Sequence, residues 1–266
     1  MIWDSYQMDV GTLRLWRLGP LDLWLQHAEY EWRSATRLIP GRDSAEESRE
    51  ETGAMPEDLE TGRWATKSKD ADLVSLRPAT PDRPVVVRTA APLTILPGGE
   101  AEFFVSIPLW VEIFIAHRQE QEKEVSEKLL ATPTVILSNS WFGLPTGGES
   151  CYALRSRARR SVEELEYSPC RVVCPARVRN ESSEHLLIQR LFLPMDPLRI
   201  YRGDRYLWGN AGTLRYQGED KPGQVVYDDK PPGFDHAGTV LREARQSGRQ
   251  GFLARSFSGL KEAFGA

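Results

Sequence analysis

The stretch Glu100-Ala101-Glu102-Phe103-Phe104-Val105-Ser106-Ile107-Pro108-Leu109-Trp110-Val111-Glu112-Ile113-Phe114-Ile115 decides the fold class. Phe103, Val105 and Ile107 fall on one side of an extended chain, and Leu109, Val111, Ile113 and Ile115 form a second alternating set. A period of two is the mark of a strand with one buried face. Pro108 separates the two sets and removes a ladder donor, so it marks an edge or a bulge. Upstream, Val85 and Val87, then Leu93 to Leu96, lead into the turn Pro97-Gly98-Gly99. Downstream, strand-like runs recur at Thr134 to Leu137, Cys151 to Arg155, Cys170 to Arg179, Leu186 to Leu193, Leu198 to Tyr201, Arg205 to Trp208 and Gly212 to Tyr216. Short strands at this density, joined by turns such as Arg179-Asn180-Glu181-Ser182-Ser183, predict an all-β fold with a Greek-key, immunoglobulin-like β-sandwich. At 266 residues, one large sandwich and two packed lobes are both allowed.

Residues 1–39 read as hairpins of the same β core. Leu21, Leu23 and Leu25 face one way and Asp22, Trp24 and Gln26 the other, after a Gly19-Pro20 break. Trp16, Trp24 and Trp32 are read as core and cross-strand aromatics. Residues 40–60 hold eight acids and almost no large apolar residue. Such a segment cannot bury enough surface to offset the entropy of ordering, which predicts a disordered acidic insertion. Residues 61–228 form the main β region, where a second lobe would begin near residue 130. Gln119 to Leu130 fits a short helix and a long hairpin arm equally well. Residues 229–266 form a loop and tail, in which Leu253, Phe257, Leu260 and Phe264 recur at the spacing of one helical face. A short amphipathic C-terminal helix is expected there, and its stripe is the candidate partner-binding surface. Packing on its own body ranks ahead of a partner, and a partner ahead of a membrane surface.

The net charge is −4, but it is uneven: residues 1–72 carry 15 acids against 9 bases, while residues 151–205 carry 11 arginines, no lysine and 7 acids. An arginine excess suits bidentate recognition of carboxylate or phosphate, although outward arginines on strands also serve solubility. The N-terminus lacks a basic, then apolar leader, and no apolar run reaches the length of a membrane span, so a cytoplasmic protein is expected. Cys151, Cys170 and Cys174 are too few and too odd in number for a disulfide framework, and their spacing along a strand suits neither a shared zinc nor a bridge. No metal and no cofactor are called for. GxGxxG, GxxxxGK[ST], HExxH and GxSxG strings are all absent. Thr146-Gly147-Gly148-Glu149-Ser150 lacks the Lys of a phosphate loop and reads as a hairpin turn.

One segment stands out as a binding candidate. Trp141 and Phe142 sit among turn formers, directly before Glu149, Tyr152, Arg155 and Arg157. They either cap the end of a sandwich or form a lip over those polar groups. Arg155, Arg157 and Arg159 would share one face of a strand, but too few aromatics lie nearby for a nucleic-acid surface, and none is expected.

The run Arg83-Pro84-Val85-Val86-Val87, Pro92-Leu93, Pro97-Gly98 and Val105-Ser106-Ile107-Pro108-Leu109-Trp110-Val111 resembles the DUF432 family, an archaeal and bacterial domain of unknown function. So do Trp141-Phe142-Gly143, Gly148-Glu149-Ser150-Cys151-Tyr152-Ala153, Arg155 to Arg159, Pro175-Ala176-Arg177-Val178-Arg179-Asn180, Arg190-Leu191-Phe192-Leu193-Pro194 and Ala254-Arg255-Ser256-Phe257-Ser258. The pieces occur in order over most of the chain outside the acidic insertion. Ser150 stands where the family pattern has an apolar residue. The resemblance implies no activity, ligand or catalytic residue. The functional reading is therefore a non-enzymatic protein-interaction or accessory module with an unidentified protein partner. The alternative is a small-ligand or anion-binding module, or an enzyme without a recognisable motif, built on residues 141–157.

Overall fold

The computed structural model describes residues 2–43, 45–66, 71–117, 125–143, 145–218, 224–246 and 252–253. Among them the alternating sequence produces twenty-one strands and a single 3₁₀ turn at Val162–Glu164. The fold is all-β. The chain forms two compact units and passes between them several times: one holds residues 1–79, 108–136 and 167–170, the other 80–107, 137–166 and 171–266.

The first unit contains two antiparallel sheets. One runs in the order Glu47–Glu51, Leu13–Leu18, Leu21–Ala28, Glu31–Leu38, Gly62–Ala65, and the other in the order Ser5–Gln7, Leu73–Ala79, Trp110–His117, Val125–Pro133. Leu21, Leu23, Leu25, Trp16 and Trp32 are fully buried, as their alternation predicts. The Trp32 ring stacks on His27 at 4.5 Å and its Nε1–H donates to Ala71 O at 3.1 Å, so the indole meets its one polar need inside the core. Val125–Pro133 pairs antiparallel with Trp110–His117, so residues 125–130 of the charged segment are strand, while residues 119–124 lie outside the described residues.

The acidic stretch 40–60 departs from its expectation of disorder. Glu47–Glu51 is an edge strand on Leu13–Leu18, and Met55 and Leu59 pack on Leu13, Leu15, Trp24 and Ala35. The acids find cross-strand cations that composition does not reveal: Arg17–Glu50 at 2.7 Å, Arg14–Glu51 at 3.0 Å and Arg37–Asp58 at 2.6 Å. Trp24, read as a core and cross-strand aromatic, is buried in this cluster.

The second unit contains the sheet Ser138–Phe142, Glu149–Ala158, Val85–Ile95, Leu186–Leu193. Its larger sheet runs Thr239–Arg242, Ile200–Arg202, Leu207–Gly209, Arg171–Asn180, Gly212–Tyr216, Gln224–Tyr227, Phe252–Leu253, with Glu100–Pro108 also paired to Arg171–Asn180. Parallel pairings join Glu149–Ala158 to Val85–Ile95, and Arg171–Asn180 to Leu207–Gly209 and to Gly212–Tyr216. Two buried asparagines tie the turns down. Asn180 Nδ2 donates to Ile95 O and Glu184 O, while Oδ1 accepts from Ser182, so Asn180 is a structural side chain. Asn210 Nδ2 donates to Pro197 O and Asp228 O, and Oδ1 accepts from Arg199 N.

The C-terminal helix is not part of what the structure shows. Leu253 lies instead in a two-residue strand, Phe252–Leu253, paired with Gln224–Tyr227, and Phe257, Leu260 and Phe264 lie outside the described residues. Among the described residues no helix is long and apolar enough to cross a membrane.

Candidate functional site

Val85, Val86 and Val87 are buried, and the next residue, Arg88, is exposed. Val85–Ile95 is an inner strand, so Arg88 has a neighbour on each side, and both are arginines. It is in register with Arg157 of Glu149–Ala158 and with Arg190 of Leu186–Leu193. Register partners project from the same face of a sheet. Three guanidinium groups therefore stand in a row across three adjacent strands.

The backbone around them is irregular on both sides. Between Ala153 and Arg157 the strand Glu149–Ala158 runs three residues past the single residue Val87, and residues 89–92 run past the single residue Gln189. Bulges of this kind open a sheet surface and re-aim side chains. Here they leave a recess of about 490 Å³ lined by Arg88, Thr89, Ala90, Pro92, Arg157, Gln189 and Arg190. The Thr89 hydroxyl donates to Gln189 O at 3.3 Å across the break, fixing the bulge rather than facing a ligand.

Elsewhere on the sheets of this unit, three arginines are matched by carboxylates: Arg177 with Glu102 at 3.2 Å, Arg179 with Glu100 at 2.9 Å, Arg215 with Glu181 at 3.7 Å. Among the described residues no carboxylate lines the recess of Arg88, Arg157 and Arg190. Like charges placed directly opposite on neighbouring strands are unfavourable. The row is thus a local excess of positive charge in a chain of net charge −4.

Of the residues singled out in the sequence, Arg157 is in this row and Arg155 is exposed within the bulge beside it. The others lie at the opposite end of the strand. Trp141 and Phe142 pair with Ser150 and Glu149, roughly 20 Å from Arg157 at ~3.3 Å per residue. Phe142 stacks on the buried Phe192 at 4.9 Å, which is a packing role. The Tyr152 hydroxyl donates to Asp82 at 2.9 Å with the Arg83 guanidinium over its ring, and burial pushes its pKa up. Partial desolvation, then the charge of Asp196, raises the pKa of Glu149. The structure does not gather these six residues into one site. Arg88 and Arg190 were missed because only the register aligns residues so distant in sequence.

A second recess of about 420 Å³ in the same unit involves Phe104, Arg160, Tyr206, Trp208, Phe234 and Asp235. Its rings stack on one another, Trp208 on Phe234 at 5.3 Å and Phe104 edge-on to Phe234 at 5.3 Å. Asp235 Oδ2 accepts from Arg205 N, Tyr206 N and Trp208 Nε1 at 2.9, 2.7 and 3.0 Å. A Cβ at Gly203 would lie 2.6 Å from that same oxygen, so only glycine fits beneath it. The Asp235 carboxylate and the Trp208 indole N–H thus find their partners within the chain itself. Cys151, Cys170 and Cys174 are buried, and burial pushes the Cys174 thiol up to about 12. Among the described residues no three metal-ligating side chains converge.

A family model described as protein of unknown function (DUF432) matches residues 2–261. No curated protein and no solved structure matches the chain.

Proposed function

We propose that this chain, which belongs to the DUF432 family, is an anion-binding protein whose ligand sits on Arg88, Arg157 and Arg190. The observation that carries the reading is the register itself, which sets three arginines side by side over a recess that, among the described residues, no carboxylate lines. Guanidinium forks bind carboxylate and phosphate oxygens bidentately, which suits an anion that also cancels the mutual repulsion. Gln189 adds only a short polar contact, and among the described residues neither a histidine nor a carboxylate lines the recess to move a proton. That supports binding rather than catalysis. The scaffold fits a pair of Greek-key, immunoglobulin-like β-sandwiches working in the cytoplasm.

Titration of the full chain with inorganic phosphate, followed by calorimetry and thermal denaturation, tests the proposal. Phosphate should bind and raise the melting temperature of the parent protein, and Arg88→Gln should abolish both effects. Equal binding by the parent and Arg88→Gln refutes it.

A second reading, protein interaction, has one supporting observation. Ser138–Phe142 is an edge strand that carries the exposed Trp141, the arrangement used when a peptide adds a strand to a sheet. Trp141→Ser should then remove a pulled-down partner without changing phosphate binding.

A further inference from the structure

We infer that the ligand of the Arg88–Arg157–Arg190 row is an anion with at least two linked phosphoryl groups, held without a metal ion. This rests on the anion-binding reading above and specifies its ligand class. Three features of the site support it.

Geometry comes first. The three arginines occupy consecutive strands, and neighbouring strands lie ~4.8 Å apart, so the row spans about 10 Å of sheet surface. Each guanidinium presents a rigid planar fork of donors. A single phosphoryl group can seat the central fork and one neighbour, which leaves the third cation uncompensated. Two linked groups reach across the whole row. Charge agrees with geometry: a carboxylate brings one negative charge and a phosphate monoester about 1.5 to 2, whereas three guanidinium groups call for about 3.

The third feature is what the recess lacks. Mg²⁺-assisted phosphate sites contribute carboxylates to the metal, but the lining beyond the arginines is Thr89, Ala90, Pro92 and Gln189. The phosphate charge would be balanced by arginine alone. Nor, among the described residues, is there an aromatic side chain in the lining on which a base could stack, so recognition rests on the phosphoryl groups. The volume, about 490 Å³, is that of a site for a whole small molecule.

The test is calorimetric titration of the full chain at fixed ionic strength in the presence of EDTA, with orthophosphate, pyrophosphate and a ten-nucleotide thymidylate as probes. Pyrophosphate should bind at least about tenfold more tightly than orthophosphate, as one more charge-assisted fork predicts. Arg157→Gln and Arg190→Gln, checked for unchanged circular dichroism, should each narrow that ratio toward one. Arg190→Lys, which keeps the charge and loses the fork, should fall between. Equal affinity for orthophosphate and pyrophosphate overturns the inference and leaves the anion-binding reading standing. Tighter binding of the oligonucleotide overturns it in favour of a phosphodiester backbone, and dependence on added Mg²⁺ overturns the metal-free claim. If none of the probes binds, the anion-binding reading itself fails.

Discussion

Single residues carry the sharpest expectations. Arg88 stands between two like charges, so Arg88→Gln should stabilise the protein by roughly 0.2–1 kcal/mol in low-salt, anion-free buffer, the usual range for one cross-strand pair. A loss of stability would mean that an unseen counter-charge holds the row. Cys174 should behave as an inert thiol. Reaction with a disulfide reagent needs the thiolate, and a pKa near 12 keeps that form negligible at pH 8. Cys174 should therefore react only on unfolding, and rapid reaction of the native protein at this position contradicts the buried assignment. Asp235 makes a pH prediction. Desolvation pushes its carboxyl up, but the N–H groups of Tyr206, Trp208 and Arg205 outweigh that and hold it below the ordinary carboxylate range. A depressed folded-state value gives stability that is present above the unfolded value, near pH 4, and is lost as pH falls through the folded one. Asp235→Asn, whose side chain also tolerates the left-handed backbone (φ 54°), should lower the melting temperature most at pH 7 and progressively less below about pH 4. A deficit that is constant with pH would show that the charge contributes nothing.

Among the elements, the strand Glu47–Glu51 shows what a sequence conceals. Its acids look like a solvated linker until the fold sets Glu51 opposite Arg14 and brings Glu50 to Arg17. Composition measures what a segment can bury by itself and is blind to cations supplied from another strand. The apolar anchors, Met55 and Leu59, are two isolated side chains that no periodic pattern flags. Replacing both with Ser should cost about 2 kcal/mol, the order expected for removing two partly buried apolar side chains. An unchanged melting temperature would return the stretch to the status of a passive insertion. A strand with strict alternation was legible, as Gly212–Tyr216 illustrates. The parallel pairings of Arg171–Asn180 were not, because alternation reports a buried face and not which strand lies alongside. The 3.6-residue spacing of the tail suggested a helix, yet Leu253 is held by backbone pairing to Gln224. A two-residue strand is too short for side-chain periodicity to register it.

At the scale of the whole molecule, the candidate site is a product of topology. Arg88, Arg157 and Arg190 are scattered along the sequence and share no motif. The sequence showed the arginine excess of residues 151–205 and pointed to Arg157, but its companions come from two other strands and meet only in the folded sheet. The net charge of −4 gives little long-range attraction for an anion, so affinity must come from direct contact with the three guanidinium groups. Salt should then weaken binding by screening, less steeply than for a protein with an extensive basic face. The central claim, that these arginines exist to hold an anion, is tested most directly by titrating the full chain and Arg88→Gln side by side with pyrophosphate in a calorimeter. The account predicts saturable one-to-one binding by the parent chain and none by the variant, while indistinguishable titrations of the two, or no heat from either, would contradict it.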